Sequence, residues 1–420
     1  LSVQLTHSID LVRVYGRSQC RRAFEIRDFL SRSVVHYSWT AVDTDLACTD
    51  LFGLSLAQAD LPIVDLPDGT RLYSPSVAEI ARRLGWVNAP KLAEYDLTIY
   101  GAGPAGLSAA VYAASEGLSV AVLEREAVGG QAGYSSLIEN YLGFPGGISG
   151  GELAERARQQ AVTFGAELLQ MRDGLQARFI DGRVHTTLSD GTTIVSCATV
   201  CATGVEWRRL GLEYEDTYIG RGLFYGAGTS EAPTCDELDV YVVGGGNSAG
   251  QAAMNLSAYA RRVTMLVRGT SLASTLSTYL AERVVEQPNI AIRTNTRVVG
   301  LDGDNGLAAI HLEDTRTGEK ETATTERLFV CIGGDPATEW AEGTKTVRDS
   351  HGFLVTGPDL DTTSPSTPWP LQRDPFYLET SIPGSFAAGD VRRNSVKRVA
   401  SAVGEGAMAV TFVHRYLATT

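Results

Sequence analysis

Two segments of this chain share one grammar: an apolar strand, a glycine-rich turn, a helix and a second apolar strand. The first is YDLTIYGAGPAGLSAAVYAASEGLSVAVLERE, beginning at Tyr95, and the second is LDVYVVGGGNSAGQAAMNLSAYARRVTMLVRG, beginning at Leu238. An internal repeat of βαβ units constrains the fold more than any other feature, because parallel strands joined by crossover helices belong to doubly wound α/β sheets. Gly101, Gly103 and Gly106 in the first unit, and Gly244 and Gly246 with Ala249 in the second, let the backbone approach a pyrophosphate. The free N–H groups at the start of the following helix then stabilise its charge. Pro104 and Ala105 complete the first turn, Asn247 and Ser248 the second.

The units differ where an adenosine ribose should lie. Glu124, 23 residues after Gly101, can accept hydrogen bonds from a ribose diol, as FAD or NAD demands. Arg268, 24 residues after Gly244, takes the matching place in the second unit. A carboxylate there would repel a 2′-phosphate and a guanidinium attracts one, which favours NADPH over NADH. One FAD site and one NADPH site are expected.

The remaining composition narrows the partners. With 420 residues, 44% hydrophobic and 20% charged, the chain has room for two to three domains of roughly 100–200 residues each. The formal charge of −13 is spread along the chain and no basic patch stands out, which argues against nucleic acid. No apolar run approaches the roughly 18 residues of a membrane helix, and no signal-peptide pattern opens the chain, so a cytoplasmic location is expected. The chain begins at Leu1 without methionine, so an upstream segment stays open. Cys20, Cys48, Cys197, Cys201, Cys235 and Cys331 form no C-x-x-C pair, and no metal site is read from them. Cys197 and Cys201 fall on one strand, where four residues at ~3.3 Å each set them ~13 Å apart, beyond the ~7 Å limit for a disulfide.

The first ninety residues have a different grammar. LVRVYGRSQCRRAFEIRDFL reads as strand, loop and amphipathic helix, and VHYSWTAVDTD as a strand. LPIVDLPDGTRLYSPSVAEIARRLG reads as strand, Asp-Gly hairpin, strand and helix. WVNAPKLAEY follows as a linker.

From Tyr95 onward the chain resembles the low-molecular-weight thioredoxin reductases, and more closely those relatives that lack the catalytic disulfide. The resemblance rests on GAGPAG, GGQAGYSSLIENYLGFP, VCATG, GGGNSAG, CIGGDPAT and SIPGSFAAGDVRRNSVKRVASAVGEGAMAV, in that order. It implies an FAD domain split in sequence, with an NADPH domain inserted between its halves. Gly129, Gly130, Gln131 and Asn140 would line the flavin, with Thr203 and Gly204 of VCATG beside them. Asp390 would hold the ribityl-pyrophosphate side, and Lys397, Arg398 and Val399 would follow the ring edge. The family also implies a homodimer.

The departures matter equally. Family reductases carry Tyr-Cys-x-x-Cys-Asp ahead of the NADPH loop, and this chain has Tyr225, Gly226, Ala227, Gly228, Thr229 and Ser230. Both sulfurs and the acidic proton donor are replaced, and the two glycines are expected to leave room for an acceptor. Cys235 follows closely, but its neighbours Asp236 and Glu237 would raise its pKa, the wrong direction for a nucleophile. Where NADPH-using reductases usually show His-Arg-Arg, this chain has Val267, Arg268 and Gly269. His414, in the terminal helix, reads as a helix-face residue.

The N-terminal part resembles a glutaredoxin-like thioredoxin fold. Cys20 stands where the first active-site cysteine would, Ala23 replaces the second, and Pro62 would follow a cis bond to Leu61. The helix N-terminus with Arg17, Arg21 and Arg22 would favour a Cys20 thiolate, and the alternative is a degenerate docking domain.

The expected architecture is therefore α/β: a thioredoxin-like domain over 1–92, the FAD domain over 93–206 and 334–420, and the NADPH domain over 207–333. The leading expectation is an oxidoreductase that passes electrons from NAD(P)H through FAD directly to a small-molecule or carrier-bound acceptor, or to dioxygen. The rivals are an FAD-dependent oxidase of a small, carrier-bound or sulfur-containing metabolite, and a flavin-bound redox sensor or docking protein.

Overall fold

The computed structural model describes residues 11–272, 276–361 and 369–419. The chain divides into two compact units. One joins Leu1–Arg83 to Arg209–Ile332, and the other joins Leu84–Arg208 to Gly333–Thr420.

The N-terminal module runs β1 (Val12–Gly16), α1 (Arg21–Arg32), β2 (Tyr37–Ala41), α2 (Asp45–Phe52), β3 (Ile63–Asp65), β4 (Arg71–Tyr73) and α3 (Val77–Arg83). Its sheet has the order β2-β1-β3-β4, with β1 parallel to β2 and antiparallel to β3. Helix α1 buries Ala23, Ile26, Phe29 and Leu30, the spacing of one helical face. The Asp-Gly turn sits between β3 and β4, whose register pairs Ile63 with Tyr73, and the Leu61–Pro62 bond is cis. Helix α2 stands in a stretch the periodicity leaves unassigned. Only its Cys48 is buried, while Leu46 and Leu51 face solvent, so it carries no apolar stripe. Thr44 caps its start, accepting from the Ala47 N–H.

The chain then enters the other unit through β5 (Glu94–Tyr100), α4 (Pro104–Ser115), β6 (Val120–Glu124), α5 (Gly150–Thr163), β7 (Glu167–Gln170), β8 (Gly174–Ile180), β9 (Arg183–Leu188), β10 (Thr193–Cys201) and β11 (Val205–Trp207). Strands β7-β6-β5-β10 are parallel neighbours, and β9 and β8 extend the sheet antiparallel. Strand β6 is buried along its whole length, as a doubly covered parallel strand must be. Cys197 and Cys201 both lie on β10, the first half-buried and the second buried.

The inserted module runs α6 (Glu215–Tyr218), β12 (Leu223–Tyr225), β13 (Asp239–Val243), α7 (Asn247–Ser257), β14 (Arg262–Val267), α8 (Thr278–Glu286), β15 (Ile290–Thr294), β16 (Thr296–Asp302), β17 (Ala309–Asp314), β18 (Lys320–Thr324) and β19 (Leu328–Val330). Its parallel sheet has the order β12-β19-β13-β14-β15, beside a β16-β17-β18 antiparallel sheet. The chain returns through β20 (Gly334–Pro336), which pairs antiparallel with β11. It ends with β21 (Ser385–Ala387), parallel to β10, and α9 (Val399–Leu417).

Among the described residues no helix is long and apolar enough to cross a membrane, and no cluster of three or more His, Cys, Asp or Glu could hold a metal.

Candidate active site

The first glycine turn is built by close approach. A Cβ on Gly106 would stand 1.9 Å from the Gly101 carbonyl oxygen, so only glycine lets α4 start this near the end of β5. Helix α4 has Gly103 at its N-cap and no side chain capping it, which leaves its first N–H groups for a ligand. Glu124, buried at the end of β6, accepts from the Ala102 N–H at 2.9 Å and the Glu126 N–H at 2.8 Å. The Glu124 carboxylate is thus locked to the glycine turn itself.

Other segments converge on this turn. The Gly129 N–H donates to the Ala102 carbonyl at 2.8 Å, and the Gly130 backbone comes against Gly103. Gln131 donates through Nε2 to the Val205 carbonyl at 3.0 Å. Its Oε1 is buried with no protein partner. Thr203 donates to the Ala337 carbonyl at 2.9 Å, and the Gly204 carbonyl accepts from the Ala337 N–H. Asp390 lies in a short turn, Gly389–Val391, that packs on Ala105. Burial pushes its carboxyl up, Glu405 adds to the rise, and Lys397 opposes it. Lys397 donates to the Asp390 carbonyl at 2.5 Å and to Ser395 Oγ at 2.7 Å. Arg398 caps α9 and Val399 is its first residue. Asn140 stands exposed in the loop that follows Gly130 and Gln131. A cavity of about 230 Å³, lined in part by Pro104, Gly129, Ala132, Tyr141 and Val399, opens beside the first turn of α4.

Sequence reasoning missed Glu405. Its Oε2 accepts from the Gly389 N–H at 2.7 Å, and its carboxylate is clasped by Arg392 at 2.5 Å. It pins the Asp390 turn to α9, and nothing in the spacing of a glutamate within a helix announces that.

The second glycine turn follows the same plan in the other unit. A Cβ on Gly244 would meet the Cys331 carbonyl at 2.3 Å. Gly246 caps α7 with nothing over it, and Ala249 is fully buried beneath the turn. Asn247 is already engaged, accepting from the Ser277 N–H at 2.9 Å. Ser248 and Arg268 are exposed, Arg268 immediately after β14.

The stretch Tyr225–Ser230 is closely packed. Gly226, Ala227, Gly228 and Ser230 are buried, and a Cβ on Gly228 would fall 2.2 Å from the Phe329 ring. The absence of a side chain at Gly228 thus admits the Phe329 ring from its own module. Cys235 is fully buried and donates to the Glu231 carbonyl at 3.4 Å, with its thiol pushed up to about 12. The cause is burial first, with Glu231 adding to it, and not Asp236 or Glu237. Cys331, donating to the Gly226 carbonyl, is likewise raised to about 12 by burial. Cys20 is the half-buried N-cap of α1, with Arg21 paired to Glu25 and Arg22 to Ser74. His414 lies 2.8 Å from the Glu116 carboxylate, a paired helix-face residue. Of the six thiols only Cys20 and Cys197 are not buried. A thiol titration of the native protein should therefore label two per chain quickly, and six after unfolding. Fast labelling of Cys235 would contradict the geometry.

Two sheets whose parallel strands each lead through a glycine turn into an uncapped helix, with a fixed carboxylate after one and an exposed guanidinium after the other, suit an oxidoreductase that pairs a flavin with a pyridine nucleotide. The family model for pyridine nucleotide-disulphide oxidoreductases matches residues 95–406, and the chain belongs to that family. It is 34% identical over 326 residues to a thioredoxin reductase of Treponema pallidum, covering 78% of this chain and 98% of that one. A Streptomyces clavuligerus thioredoxin reductase is 35% identical over 330 residues, covering 77% and 94%. Among solved structures, Lactococcus lactis thioredoxin reductase in its FR conformation matches with a TM-score of 0.69 at 26% identity, over 78% of this chain and all of that one. These reductases are flavin-dependent and use FAD and NADPH, and this chain is an enzyme of that kind.

Proposed function

We propose that this protein takes electrons from NADPH and delivers them to an acceptor without a protein disulfide between. The observation that carries the reading is the segment 226–229, which holds Gly, Ala, Gly and Thr in place of a cysteine pair, with the neighbouring thiols, Cys235 and Cys331, both buried and raised to about 12.

The residues present fit a flavin dinucleotide. The glycine turn, the open N–H groups of α4, the locked Glu124 and the orphaned Gln131 Oε1 supply the donors and acceptors that such a ligand needs. FAD, when bound, supplies the capacity to accept a hydride and pass on two electrons. Gly101, Gly103, Pro104, Ala105 and Gly106 would admit its pyrophosphate and Glu124 would orient the adenosine ribose. Gly130, Gln131, Asn140, Thr203, Gly204, Asp390, Lys397, Arg398 and Val399 would line the remainder. Gly244, Gly246, Asn247, Ser248 and Ala249 would seat NADPH, with Arg268 on the 2′-phosphate. The acceptor is a small or carrier-bound molecule or dioxygen, and the working unit a homodimer.

The test is steady-state oxidation of NADPH by the purified enzyme. With quinone-type acceptors or dioxygen, turnover is expected. With thioredoxin and a disulfide reporter, none is, and rapid disulfide reduction would overturn the reading. Arg268→Ala should raise the KM for NADPH about tenfold, roughly 1.4 kcal/mol, and leave that for NADH unchanged. Equal effects on both would remove Arg268 from the 2′-phosphate.

A further inference from the structure

The N-terminal module and the inserted nucleotide module belong to one compact unit, and the seam between them has a buried ion pair at its centre. Arg27 of α1 is 1% exposed, and its Nη2 lies 3.2 Å from the carboxylate of Glu231, which is 0% exposed. The same guanidinium lies 4.1 Å over the Trp39 ring. One turn earlier, Phe24 meets Phe224 of β12 at 5.0 Å, and Phe224 stacks on Phe329 at 5.3 Å. At the start of the helix, a Cβ on Gly306 would fall 1.6 Å from Gln19 Oε1, and one on Gly220 would fall 2.9 Å from the Arg21 Cα. Helix α1 therefore runs alongside β12 in the same direction, from Gly220 past Phe224 to Glu231.

We propose that the N-terminal module is a permanently docked partner of the nucleotide-binding module, riding with it as one body, and is not a mobile electron carrier. Aromatic side chains around a buried arginine–carboxylate pair mark the centre of a stable interface, whereas a contact broken at every turnover is smaller and wetter. The residues flanking Cys20 are the ones seated on Gly306 and Gly220, so the end of α1 that would receive a thiol partner is spent on the chain's own docking. That end also lies at the wrong edge of the sheet. Strands β12, β19 and β13 are parallel, and Cys20 stands near their beginning, while the Gly244 turn follows their end. The five residues of β13 separate the two edges by about 17 Å at ~3.3 Å per residue.

The inference stands on this geometry and not on the choice of acceptor. The Gln19→Cys/Gly306→Cys double variant of the full chain places two thiols where the Gln19 side chain now reaches the Gly306 backbone. The bridge should form on mild oxidation, and NADPH-dependent turnover should differ less than twofold between its oxidised and reduced forms. A tenfold fall on bridging, reversed by dithiothreitol, would show that the module must undock and would overturn the proposal. Hydrogen exchange on the wild-type protein gives an answer independent of turnover. The amides of α1 and of β12 and β13 should lose protection together as denaturant rises. Release of α1 first, with the sheet intact, would contradict permanent docking. Arg27→Glu should free α1, and Arg27→Glu/Glu231→Arg should restore its protection.

Discussion

Replacing Gly106 with valine is expected to give a colourless protein. The first Cβ already lies 1.9 Å from the Gly101 carbonyl oxygen, a backbone atom that cannot swing aside. The side chain must therefore push the start of α4 away from the end of β5. That movement spreads the glycine turn, unseats the Ala102 N–H from Glu124 and disturbs the approach of α9, whose Gly406 lies against the Ala105 carbonyl. Overpacking of a core site costs about 1–3 kcal/mol where side chains can yield, and a backbone clash exceeds that. The ratio of visible to ultraviolet absorbance after purification should fall more than tenfold. A variant that keeps its yellow colour would show that this turn does not hold the flavin.

Arg27→Met should be the most destabilising single change at the seam. It leaves Glu231 buried with its principal partner gone, and removing one member of a buried pair costs about 3–5 kcal/mol. Arg27→Met/Glu231→Leu should recover most of the loss, because exchanging a whole buried pair for apolar side chains is often neutral. Burial raises the Glu231 carboxyl above its ordinary 4.5, with Arg27 and Arg327 opposing the rise. A carboxyl raised on folding favours the folded state most below its unfolded value, and that benefit is lost as pH climbs through the folded one. The deficit of Arg27→Met should thus deepen as pH rises above the ordinary carboxyl value. Urea unfolding followed through unit-specific exchange measures both effects. A deficit below about 1 kcal/mol would mean that water reaches the pair.

Both βαβ units were legible in the sequence because strand, glycine turn and helix fall within some thirty residues. β5, α4 and β6, and β13, α7 and β14, lie on the segments that the spacing indicates. What escaped was whatever depends on residues far apart in the chain. Arg27 sits among arginines and reads as a solvated charge, and only the fold sets it against Glu231, 204 residues on. Gly228 reads as open space until Phe329 arrives from β19 to fill it. Glu405 is one glutamate in a helix until the Asp390 turn docks on it. Helix α2 was invisible for a local reason: its leucines face solvent and leave no period to read.

The central claim is that NADPH reduces a flavin held in this cradle. Anaerobic stopped-flow mixing of the purified yellow protein with NADPH, and separately with NADH, tests it most directly. Rapid bleaching of the visible flavin band by NADPH, and slower bleaching by NADH, is the predicted result. A band that persists with both nucleotides would contradict the claim and make the electron donor something other than a pyridine nucleotide.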